Sequence, residues 1–353
     1  MSAQDQNTGT TDVREAHRFD SASLERWLAR NVPGYCGPLR IEQFKGGQSN
    51  PTYELTTPSA RFVLRRKPPG ALLKGAHAVE REFQVLEALG RAEFPVAKVH
   101  ALCTDESVIG TAFYVMEFVE GRVFWDATLP NVDREQRAQY FDALNETLAR
   151  LHGLDYTALG LAEYGKPGNY FARQIARWSR QYADEEAAGR DPHLDRLIEW
   201  LPRNIPPGEE SAIVHGDCRF DNLIFHPTEP RVLAVLDWEL STLGHPLADL
   251  SYSALMYRLP PGMIPGLVGE DLDALGVPSE EQYLAAYCRR TGRAGIPRYD
   301  FYVAFNLFRL AAIMHGIRGR VMRGTSASVH AREMASSLEM FSRLGWNTVE
   351  QAS

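Results

Sequence analysis

His215-Gly216-Asp217-Cys218-Arg219-Phe220-Asp221-Asn222 is followed a short way on by Val235-Leu236-Asp237-Trp238-Glu239. A carboxylate, a carboxamide five residues later and a second carboxylate closing an apolar run form a set suited to phosphoryl transfer. That reaction needs one group to orient a hydroxyl and accept its proton, and hard oxygen donors to hold Mg²⁺ on the phosphates. Asp217 is the candidate general base, and Asn222 and Asp237 are the candidate Mg²⁺ ligands. Each has a plain structural use when taken singly: Asp217 and Asn222 as turn residues, Asp237 as a helix cap. The three in this order favour the chemical use. Glu239 is a further candidate ligand. His215 reads as a residue that organises the loop by a hydrogen bond rather than as a catalyst. Arg219 and Asp221 line the same loop.

A second constellation lies upstream. Gly46-Gly47-Gln48-Ser49-Asn50 sits between two short β-like runs, and glycines there let backbone N–H groups approach phosphates closely. The segment is not a Walker A loop, because no GK[ST] follows. Val63-Leu64-Arg65-Arg66-Lys67 places three cations at a strand end. Glu82 shares a helix face with Val79 and Leu86, and a carboxylate on an apolar face needs a partner. Arg65 is that partner by register, with Lys67 as the alternative because strand side chains alternate. The run Phe113–Gly121 reads as a strand entering a linker, where backbone groups of Glu117 and Val119 are candidates for holding an adenine.

The elements that must position these residues fall into two sets. Residues 40–118 read as five strands at about 41–44, 52–56, 61–65, 98–103 and 112–118, with one helix at about 76–90 after the third. Beyond Gly121 the periodicity is helical at 133–152, 168–186, 192–201, 245–257, 279–291, 298–322 and 326–344. Short apolar runs at 212–214, 223–225 and 232–236 flank the two chemical loops as strands. The division expected is a flexible polar tail over 1–18, an N-terminal nucleotide-binding lobe over 19–118 and a C-terminal catalytic and substrate-binding lobe over 119–353.

The 353 residues are enough for two lobes with their own cores, and the hydrophobic share of 44% suits that. The net charge of −7 argues against nucleic acid as main partner, since phosphate backbones select basic surfaces. No signal-peptide-like run and no apolar stretch of membrane-spanning length is present. The four cysteines, Cys36, Cys103, Cys218 and Cys288, form no pair or zinc spacing, so reduced thiols and a cytoplasmic location are expected. Cys218, inside the catalytic loop, is expected to be accessible and oxidisable.

These motifs together resemble the aminoglycoside phosphotransferase / choline kinase family, within the protein-kinase-like fold. The resemblance spans about residues 40–345. It rests on Gly46-Gly47-Gln48-Ser49-Asn50-Pro51-Thr52-Tyr53, Arg65-Arg66-Lys67-Pro68-Pro69-Gly70, Arg81-Glu82-Phe83 and Trp238-Glu239-Leu240-Ser241-Thr242-Leu243-Gly244-His245-Pro246. It is strongest to the phosphotransferase-like domains related to those fused to acyl-CoA dehydrogenases, and the length leaves no room for the dehydrogenase part. The resemblance implies an α+β, two-lobed fold: a five-stranded antiparallel sheet with one helix, and a mostly helical large lobe. It also implies ATP and Mg²⁺ use and a small-molecule hydroxyl substrate. A hydroxy acid or hydroxyacyl-CoA is the first acceptor expected; Arg318, Arg320 and Arg323 are candidates for its acidic head group but read first as a solvated face. An aminoglycoside or amino alcohol is the alternative; Asp184-Glu185-Glu186 is its candidate acidic patch but reads first as a solvated helix end. A non-catalytic nucleotide-binding protein is the second alternative. The metal motif departs from Asp-Phe-Gly, and the strand cation is Arg rather than Lys, which changes how phosphates would be held.

Overall fold

The computed structural model describes residues 7–46, 50–70, 77–262, 265–325 and 331–352. The N-terminal part contains β1 (Thr10–Thr11), α1 (Ser21–Asn31), β2 (Arg40–Phe44), β3 (Thr52–Thr56), β4 (Arg61–Arg66), α2 (Val79–Arg91), β5 (Val99–Cys103) and β6 (Phe113–Glu117). The six strands form one antiparallel sheet in the order β1-β2-β3-β4-β6-β5.

Register decides which side chains face the interior. Arg65 is opposite Tyr114 and Val63 opposite Met116, so these share the face toward α2. Leu64, Val115 and Phe113 turn the other way, into a second core with Leu24 and Leu28 of α1. Two features depart from expectation. The sheet has a sixth strand, because Thr10–Thr11 of the supposed tail pairs with β2; residues 1–6 lie outside the described residues. The lobe also has a second helix, α1, started by Asp20, whose carboxylate accepts from the N–H groups of Ala22 and Ser23.

The C-terminal part runs α3 (Arg134–His152), α4 (Tyr170–Asp184), α5 (Pro192–Arg203), β7 (Ala212–Val214), β8 (Leu223–Phe225), β9 (Val232–Val235), β10 (Thr242–Gly244) and α6 (Pro246–Ser253). It continues with α7 (Leu272–Leu275), α8 (Glu280–Thr291), α9 (Tyr299–Met322), α10 (Ala331–Ser336) and α11 (Leu338–Ala352). β7 pairs with β10 and β8 with β9, so the two chemical loops leave from small ribbons set among helices. α9 is buried along most of its length and packs against α4, α6 and α11. Residues 254–257, expected to extend α6, form a 3₁₀ turn instead. The lobes meet where Arg122, just past β6, pairs with Phe225 of β8. Gly121 is required there: a Cβ would lie 2.3 Å from the Phe225 carbonyl. Among the described residues no helix is long and apolar enough to cross a membrane.

Candidate active site

The loop after β7 is held from behind. Asp249, in the first turn of α6, accepts the N–H of His215 at 2.6 Å and that of Gly216 at 2.8 Å. Its carboxylate also meets His152 Nε2 at 3.3 Å, and His152 Nδ1 meets the Tyr287 hydroxyl at 2.7 Å. Burial acts to raise the Asp249 pKa, but the bonds from His152 and the backbone hold it below the ordinary carboxylate range. Gly216 takes φ +85°, and a Cβ there would lie 3.0 Å from the Leu240 carbonyl, so only glycine fits without strain. His215 is fully buried. Its Nδ1 accepts the Asp217 N–H at 3.2 Å, which leaves Nε2 to donate to the Leu236 carbonyl at 2.7 Å. One imidazole therefore joins the Asp217 loop to the residue preceding Asp237.

Asp217 projects from this loop with its side chain about one-fifth exposed. Asn222 Nδ2 donates to Asp217 Oδ2 at 3.0 Å and to its main-chain oxygen at 2.8 Å. The Tyr252 hydroxyl donates to Oδ1 at 2.6 Å. Arg219 lies 3.4 Å from Oδ1 through Nε and bonds Asp221 Oδ2 at 3.0 Å through Nη2. The longer of these contacts is an ion pair without hydrogen-bond geometry.

Asp237, two residues beyond β9, lies in the left-handed region, at φ 62° and ψ 62°, a costly conformation for a non-glycine residue. The Leu236 N–H donates to the Asn222 carbonyl at 2.8 Å, so the backbones of the two candidate ligands are tied together. The donor set suits Mg²⁺. The Asn222 amide nitrogen is spent on Asp217, which leaves its oxygen as the outward donor. Asp237 is more than one-quarter exposed, and Arg65 engages its Oδ1. Hard oxygens on a partly open face are what Mg²⁺ takes, with phosphates and water completing its shell.

Arg65 is buried between Glu82 and Asp237. Its Nε is 2.8 Å from Glu82 Oε2, its Nη2 2.6 Å from Asp237 Oδ1 and 3.7 Å from Glu239 Oε2. Burial opposes its charge, but Asp237 and Glu82 outweigh that and hold its pKa above the ordinary value. Burial pushes the Glu82 carboxyl up in spite of Arg65 beside it. The Tyr114 hydroxyl at 3.1 Å and Asn50 Nδ2 at 2.8 Å saturate Glu82, and His77 Nδ1 meets Asn50 Oδ1 at 3.0 Å. Lys67, the alternative cation, is instead paired with Glu80 at the partly exposed start of α2.

The remaining nucleotide candidates divide. Gly47, Gln48 and Ser49 lie outside the described residues. Gly46 packs toward the Trp125 ring, 3.7 Å from where a Cβ would stand. The Asn50 side chain serves the ion-pair network. The Glu117 N–H is donated to the Lys98 carbonyl at 2.9 Å.

With this geometry in view, residues 40–302 match the phosphotransferase enzyme family. The chain belongs to that family. It is 44% identical over 360 residues to chicken acyl-CoA dehydrogenase family member 11, covering 97% of this chain and 46% of the relative. The chain thus spans less than half the length of the curated relatives it matches. A crystal structure from Ralstonia eutropha, assigned as an aminoglycoside phosphotransferase, is 48% identical with a TM-score of 0.86, covering 95% of this chain and 99% of that one. Aminoglycoside phosphotransferase APH(4)-Ia, solved with AMP-PNP and hygromycin B, shares the fold at a TM-score of 0.60 and 14% identity, covering 92% of this chain and 98% of that one. The two-lobed, protein-kinase-like α+β fold is therefore that of this phosphotransferase.

Three readings from the sequence need correction or completion. Cys218 of the phosphotransferase is buried, and burial raises its thiol well above the ordinary range, so it is neither accessible nor reactive. The two charge clusters assigned to rival acceptors meet in one pair, Arg323 with Glu185, and Arg318 pairs outside them with Glu339. Tyr252 and Arg309 went unrecognised. Arg309 Nη2 donates to the Gly216 carbonyl at 2.6 Å from a helix that reads as pure core. Tyr252 had a usable signal, since it lies three residues after Asp249 and so on the same face of α6.

Proposed function

We propose that this phosphotransferase moves the γ-phosphate of ATP to a hydroxyl of a small molecule. The observation that carries the reading is the joining of base and metal-ligand loops. Asn222 bonds Asp217, and His215 bonds the residue before Asp237, which supports a common site for the three oxygen-bearing side chains. Asp217 orients the acceptor hydroxyl and takes its proton as the oxygen attacks phosphorus. Asn222 and Asp237 would hold Mg²⁺, which when bound neutralises charge on the phosphate oxygens. Arg65, fixed by Glu82, faces the α- and β-phosphates, and its fork spans two oxygens. The Glu117 carbonyl and the Val119 N–H hold the adenine, since the Glu117 N–H is already spent on Lys98.

For the acceptor, similarity to chicken acyl-CoA dehydrogenase family member 11 favours a hydroxy acid or hydroxyacyl-CoA. Similarity to the Ralstonia protein favours an amino sugar as the second reading. The internal Arg323–Glu185 pair weakens the charge argument for both. The test is ADP release with Mg²⁺ and ATP over hydroxy acids, hydroxyacyl-CoAs, amino alcohols and aminoglycosides. The Asp217→Asn protein serves as blank. Turnover confined to the hydroxyacyl set supports the first reading, and turnover confined to amino sugars replaces it.

A further inference from the structure

We infer that Tyr252 is a positioning residue for the base, acting from the same face of α6 as Asp249 one turn before it. The inference deepens the proposed function and rests on Asp217 being the base. The two oxygens of Asp249 take the N–H groups of His215 and Gly216. Three residues on, the Tyr252 hydroxyl donates to Asp217 Oδ1 at 2.6 Å. Residues three apart on a helix share a face, so one rigid element fixes both the backbone leading into the base and the base carboxylate itself.

Tyr252 is itself fixed. It is buried, and the Arg309 guanidinium lies over its ring, with Cζ 4.7 Å from the centroid. Arg309 reaches past it to the Gly216 carbonyl at 2.6 Å. Burial, then the negative charge of Asp217, raises the phenol beyond its ordinary range, so it remains a donor throughout working conditions. Asn222 holds Oδ2 of the same carboxylate. With a hydrogen-bond donor on each oxygen, and the Arg219 guanidinium 3.4 Å from Oδ1, the carboxylate plane cannot rotate freely. When the acceptor oxygen bonds to the γ-phosphorus and the bond to the β-phosphate oxygen breaks, the hydroxyl proton passes to a carboxylate already in the required orientation.

Tyr252→Phe removes one oxygen and leaves the ring under Arg309. In the full chain, kcat is expected to fall about tenfold to hundredfold, the range for a misplaced catalytic group. KM for ATP and the melting temperature are expected to stay unchanged. In an Asp217→Asn background the same substitution should cost nothing further, because residues acting as one unit are not additive. Unchanged kcat in Tyr252→Phe overturns the inference, and so does an equal loss in the Asp217→Asn background. A lowered melting temperature with weakened AMP-PNP binding would show a merely structural tyrosine and also overturn it. If the wild type turns over no acceptor, the kinase reading itself fails. The crystal structure of Tyr252→Phe then decides the narrower point: a rotated Asp217 carboxylate supports the positioning role, and an unmoved one refutes it.

Discussion

At the scale of single residues, the cleft is a balance of opposite charges with few spare partners. Asp217 has donors on both oxygens, so replacing it by Asn preserves much of the hydrogen bonding and removes the proton acceptor. Asp217→Asn is expected to lower transfer by about 10²–10⁴-fold. Binding of AMP-PNP, followed by calorimetry, should stay close to wild type. Arg65 is different, because it is the buried counter-charge of Glu82 and Asp237. Arg65→Met leaves Glu82 buried without its cation, and breaking such a pair costs about 3–5 kcal/mol. Urea denaturation should show that loss in the midpoint, together with lost nucleotide affinity. A variant as stable as wild type would mean that Tyr114 and Asn50 suffice to hold Glu82.

At the scale of elements, α6 links stability to the site. Its N-cap is His245, whose Nδ1 accepts the Leu247 N–H at 3.2 Å, and Pro246 opens the first turn. Burial lowers the His245 pKa to about 4, with Arg293 and His152 pushing the same way against Glu210 and Glu209. The folded state therefore keeps the ring neutral, whereas the unfolded chain protonates it near its ordinary value of about 6.5. Stability from this group is complete above that value. It is lost as pH falls from there toward 4, at up to about 1.4 kcal/mol per pH unit. Melting temperatures measured between pH 8 and pH 5 should show the decline. His245→Asn keeps a capping side chain and should make the decline shallower, and an unaltered slope would assign it to other groups.

At the scale of the whole molecule, the fold decides which groups reach solvent. Cys36 is exposed, whereas Cys103, Cys218 and Cys288 are buried. Titration with a thiol reagent should therefore give one fast-reacting sulfur in the folded protein, with the other three appearing only on denaturation. Rapid modification of Cys218 with loss of activity would contradict the buried loop described above. The order and spacing of Asp217, Asn222 and Asp237, the alternating run of β2, and the apolar periodicity of α2 and α3 are local properties of the chain. They sufficed to indicate chemistry, lobe types and most elements. β1 escaped because a two-residue strand carries no periodicity, and α1 because its buried stripe is only Leu24 and Leu28. Strand alternation alone did not separate Arg65 from Lys67, and the partners of each cation came only from packing. Tyr252, Arg309 and the Arg323–Glu185 pair belong to elements 35 to 138 residues from what they touch. A hydrogen bond depends on distance in space, and no sequence pattern records that distance until tertiary packing brings the helices together.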